Sequence, residues 1–228
     1  MRILKLITNS IIRRGVISTI QLNFFEIYFD LRYRIETRSF LSNSEYELGV
    51  RSLEYVGEYQ PLNYLALQKI FRVIPLNLKD INFIDMGCGK GRVLIYGLLI
   101  NCQKAIGVEI SQELHEICSR NLEKFPSDRH CLLLDDITKC ELDDQVNLVF
   151  FIDPFGMNDE NDEIKTSAMS LCLHNIAKSL ERRERLIYIA CYNTNYDCGE
   201  LIFEDIQERI WIYNFNGYYL RDFLGFSN

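Results

Sequence analysis

The sequence predicts an α/β fold: a doubly wound, mostly parallel seven-stranded sheet that closes on an antiparallel C-terminal hairpin and carries an N-terminal helical extension. Three observations predict it. Short apolar runs alternate with stretches of helical length between residues 81 and 191, which is the rhythm of βα units. The first run ends in Gly87-Cys88-Gly89-Lys90-Gly91-Arg92, three glycines spaced two apart, as a tight strand-to-helix turn requires. The tail from Ile202 to Phe226 alternates and is rich in aromatics, which suits a hairpin.

Taken in order, the chain begins with Leu4, Ile7 and Ile11 at helical spacing among basic residues. Such a helix either packs on the body of the protein or lies on a membrane surface as a peripheral contact. Lys5, Asn9, Ser10, Arg13 and Arg14 interrupt any signal-peptide pattern, and Gln21, Asn23 and Glu26 make the run from Val16 to Phe29 too polar to span a bilayer. Residues 30–60 read as a connecting and lid region, so the expected division is an extension over 1–58 and a main domain over 59–228. Gln60-Pro61 opens a helix with Leu62, Leu65, Leu67, Ile70 and Phe71 on one face, ending near Val73.

Residues 81–86 form the first buried strand, and a helix from about Gly91 to Asn101 follows the glycines. The strand Ala105–Ile110 leads to a helix over Gln112–Lys124, with Ser111 as its N-cap. Cys131–Leu134 and Val146–Ile152 are further strands, a long helix covers about Glu160 to Leu180, and Leu186–Cys191 is the fifth strand. Asp85, Glu109, Asp136 and Asp153 all fall at or just after the carboxyl ends of successive strands, where open parallel sheets bind ligands.

Composition narrows the function. The 228 residues are 48% hydrophobic with four prolines, ample for one core without a long linker. Eight scattered cysteines show no C-x-x-C pair, and the three histidines are not grouped with them at ligand spacing. Reduced thiols in a cytoplasmic protein, and no metal, are the expectation. Residues 1–40 hold seven Lys/Arg against three Asp/Glu, a charge of +4, while the rest holds 18 against 29, a charge of −11. An acidic body is a poor general binder of nucleic acid, so a protein or small-molecule partner is favoured.

The spacing acid-x-Gly-x-Gly-x-Gly, Asp85 to Gly91, differs from the G-x-G-x-x-G of dinucleotide folds. It resembles motif I of the class I, Rossmann-like, S-adenosylmethionine (SAM)-dependent methyltransferases. Asp153-Pro154-Phe155-Gly156 is similar to the Asn/Asp-Pro-Pro-Tyr/Phe motif of members that methylate nitrogen, although the second proline is missing. Tyr59-Gln60-Pro61, Gly87-Cys88-Gly89-Lys90-Gly91-Arg92, the Asp-Pro-Phe-Gly phrase and Tyr192-Asn193 together resemble a group of small bacterial members over nearly the full length.

The resemblance implies SAM as cofactor and S-adenosylhomocysteine as product. Asp85, Gly87, Gly89 and Gly91 would line the methionine side, with Glu109 on the ribose hydroxyls and Asp136 (or Asp135) on the adenine amino group. Asp153 and the Pro154 carbonyl would hold the acceptor N–H, the Phe155 ring would stack on the acceptor, and Tyr59, Tyr192 and Asn193 would line its site. The Tyr-x-Pro phrase also looks like the histone lysine methyltransferases of this class, which makes a protein lysine a further acceptor. Asp-Pro-Phe-Gly also occurs in tRNA guanine dimethyltransferases, so an RNA base is an alternative, as is a SAM-binding module without turnover. A nicotinamide-dependent oxidoreductase is disfavoured by the glycine spacing.

Overall fold

The computed structural model describes residues 8, 11–12, 15–38, 59, 61–155, 162–183 and 185–215. Five parallel strands are β1 (Asn82–Met86), β2 (Lys104–Glu109), β3 (His130–Leu134), β4 (Leu148–Ile152) and β5 (Ile187–Tyr192). β6 (Glu200–Asp205) and β7 (Ile210–Phe215) form the terminal hairpin, and the sheet order is β3-β2-β1-β4-β5-β7-β6. β7 runs antiparallel to both β5 and β6, so the expected seven-stranded, mostly parallel sheet is what the chain forms. A register shift between Leu201 and Phe203 marks an irregularity in β6, the strand at one edge.

Alternation along the central strands builds two cores. Phe83, Leu148, Phe150, Ile152, Tyr188 and Ala190 face one side, whereas Ile84, Val149, Phe151, Ile187, Ile189 and Cys191 face the other. Both faces are buried, which is why these strands read as continuous apolar runs. On the first side lie α1 (Val16–Tyr33), α2 (Tyr64–Val73) and α3 (Arg92–Leu99). The Phe71, Phe83 and Phe150 rings meet there at centroid distances of 5.4 to 5.8 Å, two of the pairs edge-on. The other face is covered by α5 (Asp162–Arg182), through Ala168, Met169, Cys172, Leu173 and Ile176.

The helix starts follow local chemistry. Ser111 caps α4 (Gln112–Leu122) by accepting the Leu114 N–H at 3.4 Å. Asn63, two residues after Pro61, caps α2 by accepting from Ala66 N at 2.8 Å.

The N-terminal region adds a helix that the sequence reading did not place. Leu4 and Ile7, the anchors of the expected basic helix, lie outside the described residues. The long helix is α1, over a run whose polar residues argued only against a membrane span. Part of its polarity has partners in the body, Glu26 meeting Arg92 and Asp30 meeting Thr37, while Gln21 and Asn23 are exposed. Among the described residues no helix is long and apolar enough to cross a membrane. All eight cysteines are free thiols.

Candidate functional site

The strand order reverses between the parallel neighbours β1 and β4, and the crevice at their carboxyl ends is where an open α/β sheet receives a ligand. The glycine turn sits there. Gly87, Gly89 and Gly91 have φ of 86°, 53° and 82°, the left-handed region that side chains disfavour. Gly87 N and Cys88 N donate to Val108 O at 3.0 and 2.9 Å, stitching the turn to β2. Gly91 ends the turn and is the N-cap of α3.

Close approach also requires glycine. A Cβ on Gly87 would stand 3.1 Å from Pro154 Cβ, so the Asp153-Pro154 turn packs directly on the glycine turn. A Cβ on Gly89 would collide with the Tyr59 ring at 2.3 Å. Tyr59 is thus held against the glycine turn, with its hydroxyl donating to Thr37 O at 3.0 Å.

Glu109, the last residue of β2, is buried and bridges the turn. Its carboxylate accepts from Gly89 N at 2.7 Å and from Ser111 N at 2.8 Å. Burial pushes its pKa up, and the backbone N–H bonds oppose that. Asp85 stands beneath the turn in β1, fully buried, and its Oδ1 has no hydrogen-bond partner. Burial and, second, the charge of Glu109 push its pKa up to about 8. A buried carboxyl with an unmatched oxygen, beside a glycine turn, is suited to a cationic ligand group.

Asp136 is employed locally. Its Oδ1 accepts from Thr138 N at 3.0 Å and from Thr138 Oγ1 at 2.7 Å, and its Oδ2 meets Lys139 Nζ at 3.1 Å. Those bonds hold its pKa down against a burial effect in the opposite direction. It is a turn-capping acid at the end of β3, and Asp135 beside it is exposed.

Asp153 follows β4 directly and adopts φ 49°, and Asn193 follows β5 with φ 66°. Asn193 Nδ2 lies 3.5 Å from Asp153 Oδ2, which brings the two sequence-predicted residues together across neighbouring strand ends. Tyr196, which sequence reasoning missed, is close as well: burial and then the Asp153 charge push its phenol pKa up.

Two aromatic residues of the expected acceptor site are packed inward. Phe155 is only 2% exposed and packs in the core with Ile84, Phe151 and Met169. Tyr192 is the last residue of β5 and is buried on the face that carries Ile152 and Ala190. Hydrophobic burial claims both rings. Gly156 lies outside the described residues.

Comparison with known proteins gives likeness in structure alone. No protein-family profile matches the chain, and no curated protein matches it in sequence. An RNA methyltransferase from Salinibacter ruber, solved with S-adenosyl-L-homocysteine, superposes with a TM-score of 0.53 at 11% identity, covering 68% of this chain and 93% of that one. A possible methylase from Clostridium difficile 630 superposes with a TM-score of 0.53 at 12% identity, covering 69% of this chain and 53% of that one. The likeness is one of fold.

The largest omission in the sequence reading concerns Lys90 and Arg92, the two cations of the glycine turn. Both are buried. Arg92 donates through Nε to Thr37 Oγ1 at 3.0 Å and through Nη1 to Leu62 O at 3.0 Å and to Glu26, and its guanidinium stacks 4.6 Å from the Tyr64 ring centroid. Lys90 Nζ pairs with Glu36 at 2.9 Å. Thr37 Oγ1 donates to Asp30 at 2.8 Å, and the Asn121 side chain exchanges hydrogen bonds with the Glu36 backbone while donating to Lys90 O.

The glycine turn is thereby fastened to α1 and to residues 35–38 by charge. A signal existed: a buried cation needs a counter-charge, and Glu26, Asp30 and Glu36 are the only acids in the first 40 residues.

Proposed function

We propose that the protein is a SAM-dependent methyltransferase acting on a nitrogen acceptor, with an aliphatic amine favoured over a planar base. The observation that carries this reading is the glycine turn at the sheet's switch point, with the unmatched Asp85 carboxyl beneath it, Glu109 bridging it and Pro154 seated on it. Asp85 fits the ammonium of a bound methionine moiety, and Glu109 retains lone pairs for ribose hydroxyls beyond its two backbone bonds. Bound SAM supplies an electrophilic methyl group. The protein's part is alignment: Asp153, oriented by Asn193, and the Pro154 carbonyl accept N–H bonds from the acceptor and hold its nitrogen in line. Asp153 is also the group to take the proton that an amine must lose. With Phe155 committed to the core, that residue supplies no ring for a planar acceptor, which favours an aliphatic amine.

Calorimetric titration with SAM, S-adenosylhomocysteine and NAD(H) tests the cofactor. Micromolar heat with the first two and none with the third is expected, and Glu109→Gln should weaken binding about tenfold, the loss of roughly one charge-assisted bond. A folded wild-type protein that binds no SAM would sink the reading.

Asp153→Ala should leave SAM affinity within about twofold while lowering labelled-methyl transfer to lysate acceptors by about a hundredfold, the scale of a lost positioning base. Equal transfer by wild type and Asp153→Ala would remove Asp153 from the chemistry. SAM binding with no transfer by either would favour a binding module without turnover.

A further inference from the structure

The outer face of α1 has no use in the site described above. Ile17, Ile20, Phe24, Ile27 and Leu31 recur at intervals of three and four along it, which places them on one stripe of the helix. Ile17, Phe24 and Leu31 are 74, 68 and 73% exposed, and Val16 and Tyr28 widen the stripe. Exposed apolar side chains are ordinary singly, but a stripe running the length of a five-turn helix marks an interaction surface.

Charge decides what it meets. Of the ten charged residues among the first 40, the three acids are all paired: Glu26 with Arg92 and Asp30 with Thr37 on the inner side of the helix, and Glu36, beyond its end and still 61% exposed, with the buried Lys90. The seven that remain are basic. Arg13 and Arg14 precede the helix in sequence, and Arg32, Arg34 and Arg38 are exposed at its other end. An apolar stripe on a helix whose own acids, Glu26 and Asp30, both turn inward, with basic residues at both ends and Glu36 neutralised by Lys90, is complementary to an anionic surface with an apolar interior. The rest of the chain, at −11, is the wrong sign for such a surface, so contact would be confined to this element.

We propose that the outer face of α1 docks the protein on anionic phospholipid bilayers, with the helix lying in the interface plane. The stripe enters the headgroup boundary, and the flanking arginines meet lipid phosphates. Because Glu26 and Asp30 fasten the inner face of the same helix to the body, the glycine turn is held close to the membrane surface.

The 228-residue chain carrying Phe24→Trp, with Trp211→Phe so that only the added tryptophan emits, is mixed with vesicles of phosphatidylcholine alone, or with an equal part of phosphatidylglycerol. A blue shift of the added tryptophan with the anionic vesicles, weakened by salt, is expected, as is co-sedimentation with them. Ile17→Ser together with Phe24→Ser, both at exposed positions, should lower vesicle affinity at least about tenfold with an unchanged melting temperature.

No co-sedimentation with anionic vesicles would overturn the proposal. So would emission from the added tryptophan that is already blue-shifted without lipid, which would put the face under another part of the chain. A concentration-dependent dimer abolished by the two serines, in place of lipid binding, would assign the stripe to a second copy and overturn it equally.

Discussion

Binding of SAM is expected to release a proton near pH 7 and to weaken as the pH falls from 8 towards 6. The Asp85 carboxyl sits at about 8 in the free protein because burial, then the neighbouring Glu109 charge, disfavours its ionised form. At pH 7 it is therefore mostly protonated. A cationic group placed beside it favours the carboxylate and draws the pKa down, so complex formation expels the proton. Linkage then sets the sign: affinity falls with acidification by up to about tenfold per pH unit between the bound and free pKa values. Titration in buffers of different ionisation enthalpy reads the proton directly.

Asp85→Asn should abolish that proton release and bind SAM at least about tenfold more weakly. The same residue has a stability signature of the opposite kind. Its folded-state pKa lies above the ordinary 3.8, so its contribution is fully present below about 3.8 and is lost as the pH rises through 8. Asp85→Asn should therefore melt higher than wild type at pH 8.5, with little difference at pH 4.

Arg92→Ala is expected to be the most destabilising single change on this side of the molecule. The guanidinium is only 4% exposed and serves Glu26, Thr37, Leu62 and the Tyr64 ring together. Removing it leaves Glu26, already pushed up by burial, without its main opposing charge. Breaking a buried pair from one side costs about 3–5 kcal/mol, on the order of ten degrees in Tm for a chain of this size.

Glu26→Gln combined with Arg92→Met should recover much of that loss, since neutral partners of similar size leave no buried charge. If the double variant melted no higher than Arg92→Ala, the cost would belong to packing on Tyr64 rather than to charge.

The sheet was legible in the sequence because both its faces are buried, so each central strand appears as an unbroken apolar run next to a helical period. The glycine turn was legible for a similar reason: φ above 50° at residues 87, 89 and 91 leaves little alternative to glycine. Element ends were less so. Val146 belongs to a turn, its N–H bonded to Asp143 O, and β4 starts only at Leu148.

The inward packing of Phe155 and Tyr192 was not legible, because proximity in sequence to Asp153 and Asn193 says nothing of which way a ring points. Phe155 and Tyr192 both found apolar neighbours. The ionic fastening of α1 was marked only by charge, not by periodicity. Glu26 meets Arg92 across 66 residues, and no local periodicity encodes a partner at that separation.

The irregular edge strand β6 has a bearing on solubility. Leu201, Ile202 and Ile206 are exposed on or beside an outer strand whose unpaired backbone groups would template another chain. The register shift at Leu201/Phe203 breaks the straight ladder such a neighbour would need. Glu200, Glu204 and Asp205 put like charge along the same strand, so a second copy arriving edge to edge would meet its own acids. Lys69 ties Asp205 back to α2 and holds the strand's last residue to the body. The hairpin thus ends this side of the sheet chemically as well as topologically, and growth by strand addition is opposed at the β6 edge.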